Sequence, residues 1–574
     1  MSLNPHLDCD VLILGASMAG SGLARQLKLS RPSLRIVVVD RRLTFDHWVG
    51  EATVPPWTDY AVRHLKLGPY LWKNHIMKHG VRFFFDSKDK DLPLTELSEF
   101  GRREYPVIAS FQLDRARFDQ DMVDMNTAIG VDTRLGVTVR PGQLELDGEQ
   151  GHRVLTDQGP ITCRWLVDAS GMTSLLPRQL GHFRSDSDRL ATSSYWARFR
   201  NTRNIDELGD EPWRRRVGFT ERNLSGSHYL YRGYWIWQIP VDEETLSLGV
   251  TFDERLAKEP IRNGEDLEAF LRTHRAMRDL LGDHAERLDF RALRQLARHT
   301  SQFCSTDRWC VTGMAASFID PLFASTCMGI AAMNLLIGAL IEADLEMEPA
   351  YLTTRVDYFN SFFQVFHEAQ LRTIDYSRHG SFEAWSAYRM AMLNNLVNWV
   401  PAIYFRDLAD LVGMADAGLG SPAPPAEALI REKLDRGFSA AILRYKDEFV
   451  DFLEARGLYY LHNRNQFLEG TERASARRHI FTELTPEHMA SRHEEDRVSL
   501  EALVRHYLSR MAEIEEVPWS EDMFQEAWNP ETPAPLADLL HALTLARAND
   551  RPQQDWTPKG PADPVAIGWV RGPV

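Results

Sequence analysis

Apolar and polar positions change their period several times along the chain, and each change marks an element. Asp10-Val11-Leu12-Ile13-Leu14-Gly15 is a short continuous apolar run, the pattern of a strand covered on both faces. The small residues Ala16 to Gly20 follow, then a helical stretch to Leu29 and a second apolar run, Arg35-Ile36-Val37-Val38-Val39-Asp40. Strand, helix and strand in this order predict a β-α-β unit with a right-handed crossover. Residues 45–60 read as a Pro-containing loop, 81–86 as a strand, 113–128 as an amphipathic helix and 165–171 as a strand running into a turn. Between 190 and 255 aromatic residues alternate in strand fashion, which predicts a sheet lying over something large and flat. Residues 310–345 are again strand, loop and helix. From about 350 the pattern turns helical, with a loop at 413–425 and a Pro-rich surface tail after Ala548. Cys327 to Ala343 is the longest apolar run. It carries Asn334 and Glu342 and is too short to cross a bilayer, so it predicts a buried core helix.

Composition narrows the class. A length of 574 residues leaves room for about three to five domains or fewer large ones. Hydrophobic residues at 44% and charged residues at 26% exclude a wholly disordered or fibrous chain. The 66 basic residues against 81 acidic ones leave a net charge of −15, a poor partner for nucleic-acid phosphates or an anionic membrane. Cys9, Cys163, Cys304, Cys310 and Cys327 are odd in number and share no short spacing. That argues against a disulfide framework and a zinc site, and predicts a reducing, cytoplasmic setting with no metal. The polar N-terminus carries no cleavage-type pattern, and no internal repeat is visible.

The chemistry begins at Gly15-Ala16-Ser17-Met18-Ala19-Gly20. Small residues between a strand and a helix let the backbone approach a pyrophosphate held at the helix N-terminus. Ser17 stands where the second glycine of the usual pattern would be. Asp40, twenty residues beyond Gly20 at the end of the second strand, is where a carboxylate would accept from a ribose. Two further blocks lie far downstream, Asp168-Ala169-Ser170-Gly171 and Gly313-Met314-Ala315-Ala316.

These three blocks in this order resemble the FAD-binding fold of flavin monooxygenases related to para-hydroxybenzoate hydroxylase. Trp235-Ile236-Trp237-Gln238-Ile239-Pro240, between the second and third blocks, matches the WxWxIP signature of flavin-dependent halogenases. Val49-Gly50-Glu51-Ala52-Thr53-Val54-Pro55 resembles that family's flavin strap. The resemblance covers residues 8–345. It implies an α/β FAD-binding domain of Rossmann-like, glutathione-reductase type, discontinuous over 1–180 and 288–345. A mixed β-sheet substrate domain over 181–287 and a helical C-terminal region over 346–574 complete the expected architecture.

The resemblance also implies residue roles. Gly15, Ser17, Ala19, Gly20, Asp40, Arg41, Glu51, Arg115, Asp320 and Cys327 would bind the cofactor. Arg115 belongs to Phe111-Gln112-Leu113-Asp114-Arg115, which resembles the family's flavin-proximal helix start. In Phe318-Ile319-Asp320-Pro321-Leu322-Phe323-Ala324-Ser325-Thr326, backbone N–H groups at Ser325 and Thr326 would cradle a halide. Thr326 replaces the usual glycine and would be strained if that position is left-handed. Trp235, Trp237, Pro240 and Pro321 would shape the tunnel and keep substrate from the flavin. Lys78, in Ile76-Met77-Lys78-His79-Gly80-Val81-Arg82-Phe83, would receive hypohalous acid as a desolvated amine. Lys73, Lys88 and Lys90 read as solvated, and His228 as a satisfied sheet histidine.

The implied cofactors are FAD as FADH2, molecular oxygen, and chloride or bromide. A separate flavin reductase is an implied partner, since no second glycine-rich unit for NAD(P)H is visible. The implied substrate is an aromatic small molecule, free or bound to a carrier protein. Phe323 stands where tryptophan-type halogenases place a glutamate, which points to a phenol or pyrrole that activates its own ring. Trp196, Tyr229, Tyr231, Tyr234, Phe359, Phe362, Phe363, Trp385, Trp399 and Tyr404 are candidates to line its pocket, most of them reading as plain core. In the family Gly313 is usually followed by an aspartate on the ribityl chain, and here Met314 takes that place. Met314 and Thr326 keep open an FAD-dependent monooxygenase or oxidase on the same scaffold. A flavin- or carrier-binding protein without turnover is a third reading.

Overall fold

The N-terminal apolar runs form β1 (Cys9–Leu14) and β2 (Ile36–Asp40), flanking α1 (Met18–Ser30). Next come β3 (Ile76–Lys78), β4 (Val81–Phe85), β5 (Ser98–Gly101), β6 (Ser110–Gln112) and α2 (Arg115–Ala128). They are followed by β7 (Gly159–Asp168), β8 (Thr192–Arg200), β9 (Gly226–Tyr231), β10 (Tyr234–Pro240), β11 (Leu246–Asp253) and β12 (Trp309–Val311). Two long helices close the series, α3 (Ser325–Glu346) and α4 (Pro349–Ile374). This computed structural model describes residues 6–106, 109–374, 438–460, 463–469 and 500–549, apart from 503, 518 and 530–533. Trp385, Trp399, Tyr404, the 413–425 loop and the tail after 549 lie outside the described residues. The chain divides into two compact units, Met1–Leu500 and Glu501–Val574. In the second, Glu521–Ala527 and Leu536–Asn549 are helices.

The first unit is built on two large sheets. In one the order is Cys304–Ser305, β12, β7, β1, β2, Asp132–Leu135, and every pair from β12 onward is parallel. All residues of β1 and β2 are buried, as continuous Val, Ile and Leu runs require. Parallel strands place their C-terminal ends on one side, where ligands of such sheets bind. Leu14, Asp40, Asp168 and Val311 end the four strands there.

The other sheet is mixed, with Glu286–Arg287, β8, β11, β10, β9, β4, β5 and Phe467–Glu469 in order and Arg291–Leu293 also paired to β8. The expected boundary at 180/181 is therefore crossed, because β4 and β5 lie in the same sheet as β8 to β11. The cause is the alternation inside Phe83-Phe84-Phe85: Phe83 and Phe85 pack with Trp235 and Trp237, and Phe84 packs on the opposite face with Tyr229 and Ile236. A strand, Phe467–Glu469, also stands in the region expected to be helical. Trp235 and Trp237 share a face as their spacing predicts, with ring centroids 5.5 Å apart. Any side chain at Gly249 would overlap the Trp237 indole, so glycine makes room for it.

Helix α3 is long and apolar enough to cross a membrane by length and composition alone. Here it is mostly buried and hydrogen-bonded through Asn334, which donates to Ala19 O at 3.0 Å and accepts from Thr312 at 2.7 Å. Phe359, Phe362 and Phe363 of α4 are core. All five cysteines are buried and unbridged.

Two polar clusters lie inside this unit. Glu99 accepts from Arg82 and Arg222, each at 2.7 Å, and all three side chains are fully buried. Asp186 accepts from His299 at 2.8 Å and His367 at 3.1 Å, and Ser317 meets the other nitrogen of His367 at 2.8 Å. The second set joins α4 to Arg298–Thr300 and Ser317–Phe318. Its composition suits a metal, yet hydrogen bonds already account for each contact.

Candidate active site

The dinucleotide turn sits at the C-terminal end of β1. Gly15 has a φ of +114°, and a Cβ there would overlap Ala169 O of the second block. Gly20 packs as closely on Gly15 O. Ser17 is the N-cap residue of α1, but its hydroxyl makes no cap, so the first N–H groups of the helix remain open to an anion. Gly313 lies against Ala19, and Met314 is half-buried beside it. A backbone cradle narrowed by glycines, with an uncapped helix N-terminus, fits the pyrophosphate of FAD.

Asp40, the residue expected to meet a ribose, already has partners at the end of β2. Its Oδ2 accepts from Ala16 N at 2.8 Å and Arg42 Nη2 at 2.7 Å, and its Oδ1 accepts from Arg42 N at 2.9 Å and Nε at 3.0 Å. Burial pushes its carboxyl up, and the Arg42 contacts outweigh that to hold it below the usual range. All four accepting positions are taken, so a ribose hydroxyl must displace Arg42. Arg41 is exposed. Nothing in Arg41-Arg42 as sequence says which guanidinium turns back onto Asp40.

Arg115 ties the turn to the strap. Its guanidinium donates to Ser17 Oγ at 2.9 Å, to Asp119 at 2.9 Å and to Val49 O at 3.0 Å, while Ser17 Oγ donates to Asp119 at 2.8 Å. Ser17 thus contributes a hydroxyl that a glycine lacks. Glu51 is buried in the strap, and burial pushes its carboxyl up to about 7 against the opposing Ser247 hydroxyl and Arg115 charge.

The strap runs beside β6. Leu113 N donates to Glu51 O at 2.7 Å, Thr53 N donates to Phe111 O at 2.9 Å, and Ala52 bridges Gln112. On its other side β6 pairs with β3, which sets Lys78 opposite Ser110. Lys78 is buried at 3% exposure, and its ammonium donates to Thr53 O at 3.1 Å. Burial pushes the amine down to about 8, so it remains a hydrogen-bond donor at neutral pH. Lys73 and Lys88 are exposed and Lys90 is half-buried over Tyr234. The carbonyl before Thr53, that of Ala52, faces Cys327 Sγ at 3.7 Å. His228 stacks on Phe83 and contacts Arg82 O at 3.2 Å, and burial together with Lys78 pushes it down to about 3.

The loop from Phe318 to Thr326 departs from one expectation. Thr326 lies inside α3 and carries no left-handed backbone. The left-handed residues are Phe323 (φ 66°) and Ala324 (φ 50°), three and two positions before Thr326. Asp320 fixes the approach by accepting from Leu322 N at 2.8 Å, with Pro321 at φ −70°. A left-handed Ala324 followed by right-handed Ser325 turns successive N–H groups toward one hollow. The first turn of α3 has no acidic residue and no side-chain cap, so the N–H groups of Ser325 and Thr326 suit an anion. Phe323 packs edge-on against Phe83 at 6.0 Å.

The fold and this cradle fit an FAD-binding protein. Comparison with known proteins goes one step further. The tryptophan halogenase family profile matches residues 95–369. Flavin-dependent halogenase chlA of Dictyostelium discoideum is 26% identical over 421 residues, 66% of this chain and 68% of that one. Tetracycline 7-halogenase of Kitasatospora aureofaciens is 27% identical over 372 residues, 59% of this chain and 65% of that one. The structure of halogenase PltM in complex with phloroglucinol and FAD superposes with a TM-score of 0.55 at 17% identity, covering 87% of this chain and 96% of that one, and so shares the fold. Over the stretches matched, the chain is similar to flavin-dependent halogenases.

Proposed function

We propose that the protein is an FADH2-dependent halogenase of an electron-rich aromatic, phenolic or pyrrolic, that passes hypohalous acid from the flavin to Lys78. The observation that carries this reading is the pair of consecutive strap carbonyls. Ala52 O faces the start of α3, and Thr53 O receives the buried Lys78 ammonium. One extended segment thus separates the anion hollow from the amine.

When bound, reduced FAD with molecular oxygen supplies the two-electron oxidation of chloride or bromide to hypohalous acid. The chain supplies the rest. Gly15, Ser17, Ala19, Gly20 and Arg115 hold the cofactor, with Glu51 in the strap beside it. Ser325 and Thr326 N–H groups hold the halide. Trp235, Trp237, Pro240 and Pro321 line the partition. Lys78 donates to the oxygen of the acid and makes its halogen electrophilic. The ring carbon–halogen bond forms as the O–X bond breaks. The ring proton and the departing hydroxide leave as water.

Relatives named as the tetracycline 7-halogenase and as the Pseudomonas fluorescens chlorinase of 1H-pyrrole-2-carbonyl peptidyl-carrier protein support an aromatic substrate, free or carrier-bound. A separate reductase would deliver FADH2, and unbridged cysteines suit the cytoplasm. Incubation with FAD, a flavin reductase, NADH, bromide and a panel of phenols and pyrroles tests the proposal. A halide-dependent mass shift is expected. An oxygen-labelled product formed equally without halide would instead select the monooxygenase reading, which Met314 beside the cradle favours.

A further inference from the structure

The Gln112 side chain is fully buried, and among the described residues neither its Oε1 nor its Nε2 has a hydrogen-bond partner. Leaving both ends of a carboxamide dry and unpaired is costly unless a ligand completes it. The register shows where that ligand would sit. Ile76 pairs with Gln112 and Lys78 with Ser110, so Lys78, Ser110 and Gln112 share one face of the β3–β6 ribbon. That face looks onto Gly226 at the start of β9. A Cβ at Gly226 would lie 3.1 Å from Lys78 Cε, 3.5 Å from Lys78 Nζ and 3.5 Å from Gln112 Nε2. The amine and the carboxamide therefore lie within about 7 Å of each other, both next to a residue with no side chain.

We infer that Gln112, Lys78 and the bare backbone of Gly226 form a subsite that holds one molecule of hypohalous acid. Gln112 Oε1 accepts the O–H of the acid, and Lys78 donates to its oxygen while keeping Thr53 O as a second acceptor. The carboxamide adds direction, because an ammonium alone is a point charge without a fixed axis. The inference rests on the Lys78 role proposed above.

The test uses Gln112→Met, which keeps the length and removes both polar atoms, beside Lys78→Ala. Four readouts are taken: melting temperature of the FAD-free protein, FAD affinity, halogenated product per flavin oxidised, and oxidant released to a halogen scavenger. For Gln112→Met the melting temperature is expected unchanged or higher, because two unpaired groups are gone, and FAD affinity within two-fold of the parent. Product per flavin is expected to fall at least five-fold, with a matching rise in trapped oxidant. A lowered melting temperature would show that Gln112 is paired within the fold, and weakened FAD binding would show that its partner is the cofactor. Either result overturns the inference. If Lys78→Ala loses product while Gln112→Met stays fully coupled, this inference alone fails. If Lys78→Ala halogenates like the parent, the proposed function fails with it.

Discussion

Replacing Lys78 by methionine is expected to abolish halogenated product and to make the protein harder to unfold. The two effects share one cause. The amine sits at 3% exposure with Thr53 O as its one hydrogen-bond partner among the described residues, and burial pushes it from 10.5 down to about 8. At about 1.4 kcal/mol per pKa unit that depression corresponds to about 3 kcal/mol of destabilisation at neutral pH, where the folded protein must keep a charge in a dry place. The sign follows from proton counting. Between about 8 and 10.5 the unfolded chain holds this proton and the folded one does not, so parent stability rises with pH across that window and levels off above it. Lys78→Met removes that slope and raises neutral-pH stability by about 1–3 kcal/mol, read by denaturant unfolding at several pH values. Loss of a positioned proton donor lowers product formation by about 10²–10⁴-fold. Product retained within ten-fold of the parent would remove Lys78 from the chemistry. A stability loss would show that the amine is a structural tie.

The largest stability effect is expected at Glu99. Among the described residues it is the one acidic side chain hydrogen-bonded to Arg82, and it meets Arg222 in the same dry pocket, all three at 0% exposure. Glu99→Gln leaves two buried guanidiniums without that charge and is expected to cost about 3–5 kcal/mol. Urea unfolding checks it. A change under about 1 kcal/mol would mean that Asp206, 3.5 Å from Arg222, already supplies the balance. This cluster stands where β4 meets β5, so its loss loosens the sheet whose other face carries Trp235 and Trp237.

Some of this was legible in the sequence and some was not, for physical reasons that differ by residue. Periods of two and continuous apolar runs are local, so β1, β2 and the shared face of Trp235 and Trp237 could be read directly. The motif blocks end on the same edge of a parallel sheet because strand direction fixes that edge. The position of β4 was not legible, since strand partners are chosen by packing across 145 residues of sequence, from Val81 to Gly226. Val81 to Phe85 pairs with Gly226 to Leu230, and no local signal says so. Asp40 was found but its partner was not, because the choice between Arg41 and Arg42 depends on where the chain turns after β2. The strain predicted for Thr326 assumed a loop register that the left-handed pair Phe323–Ala324 shifts by two residues. Gln112 was passed over because an unpaired amide is a property of the folded neighbourhood and has no sequence mark.

We propose that halide is held at the start of α3, on one side of the strap, while the amine waits on the other. A crystal grown in bromide with FAD, measured at the bromine absorption edge, tests it directly. The account predicts an anomalous peak within hydrogen-bond distance of the Ser325 and Thr326 N–H groups. Bromide bound only beside Lys78, or a hollow that stays empty at saturating bromide with FAD in place, would contradict it.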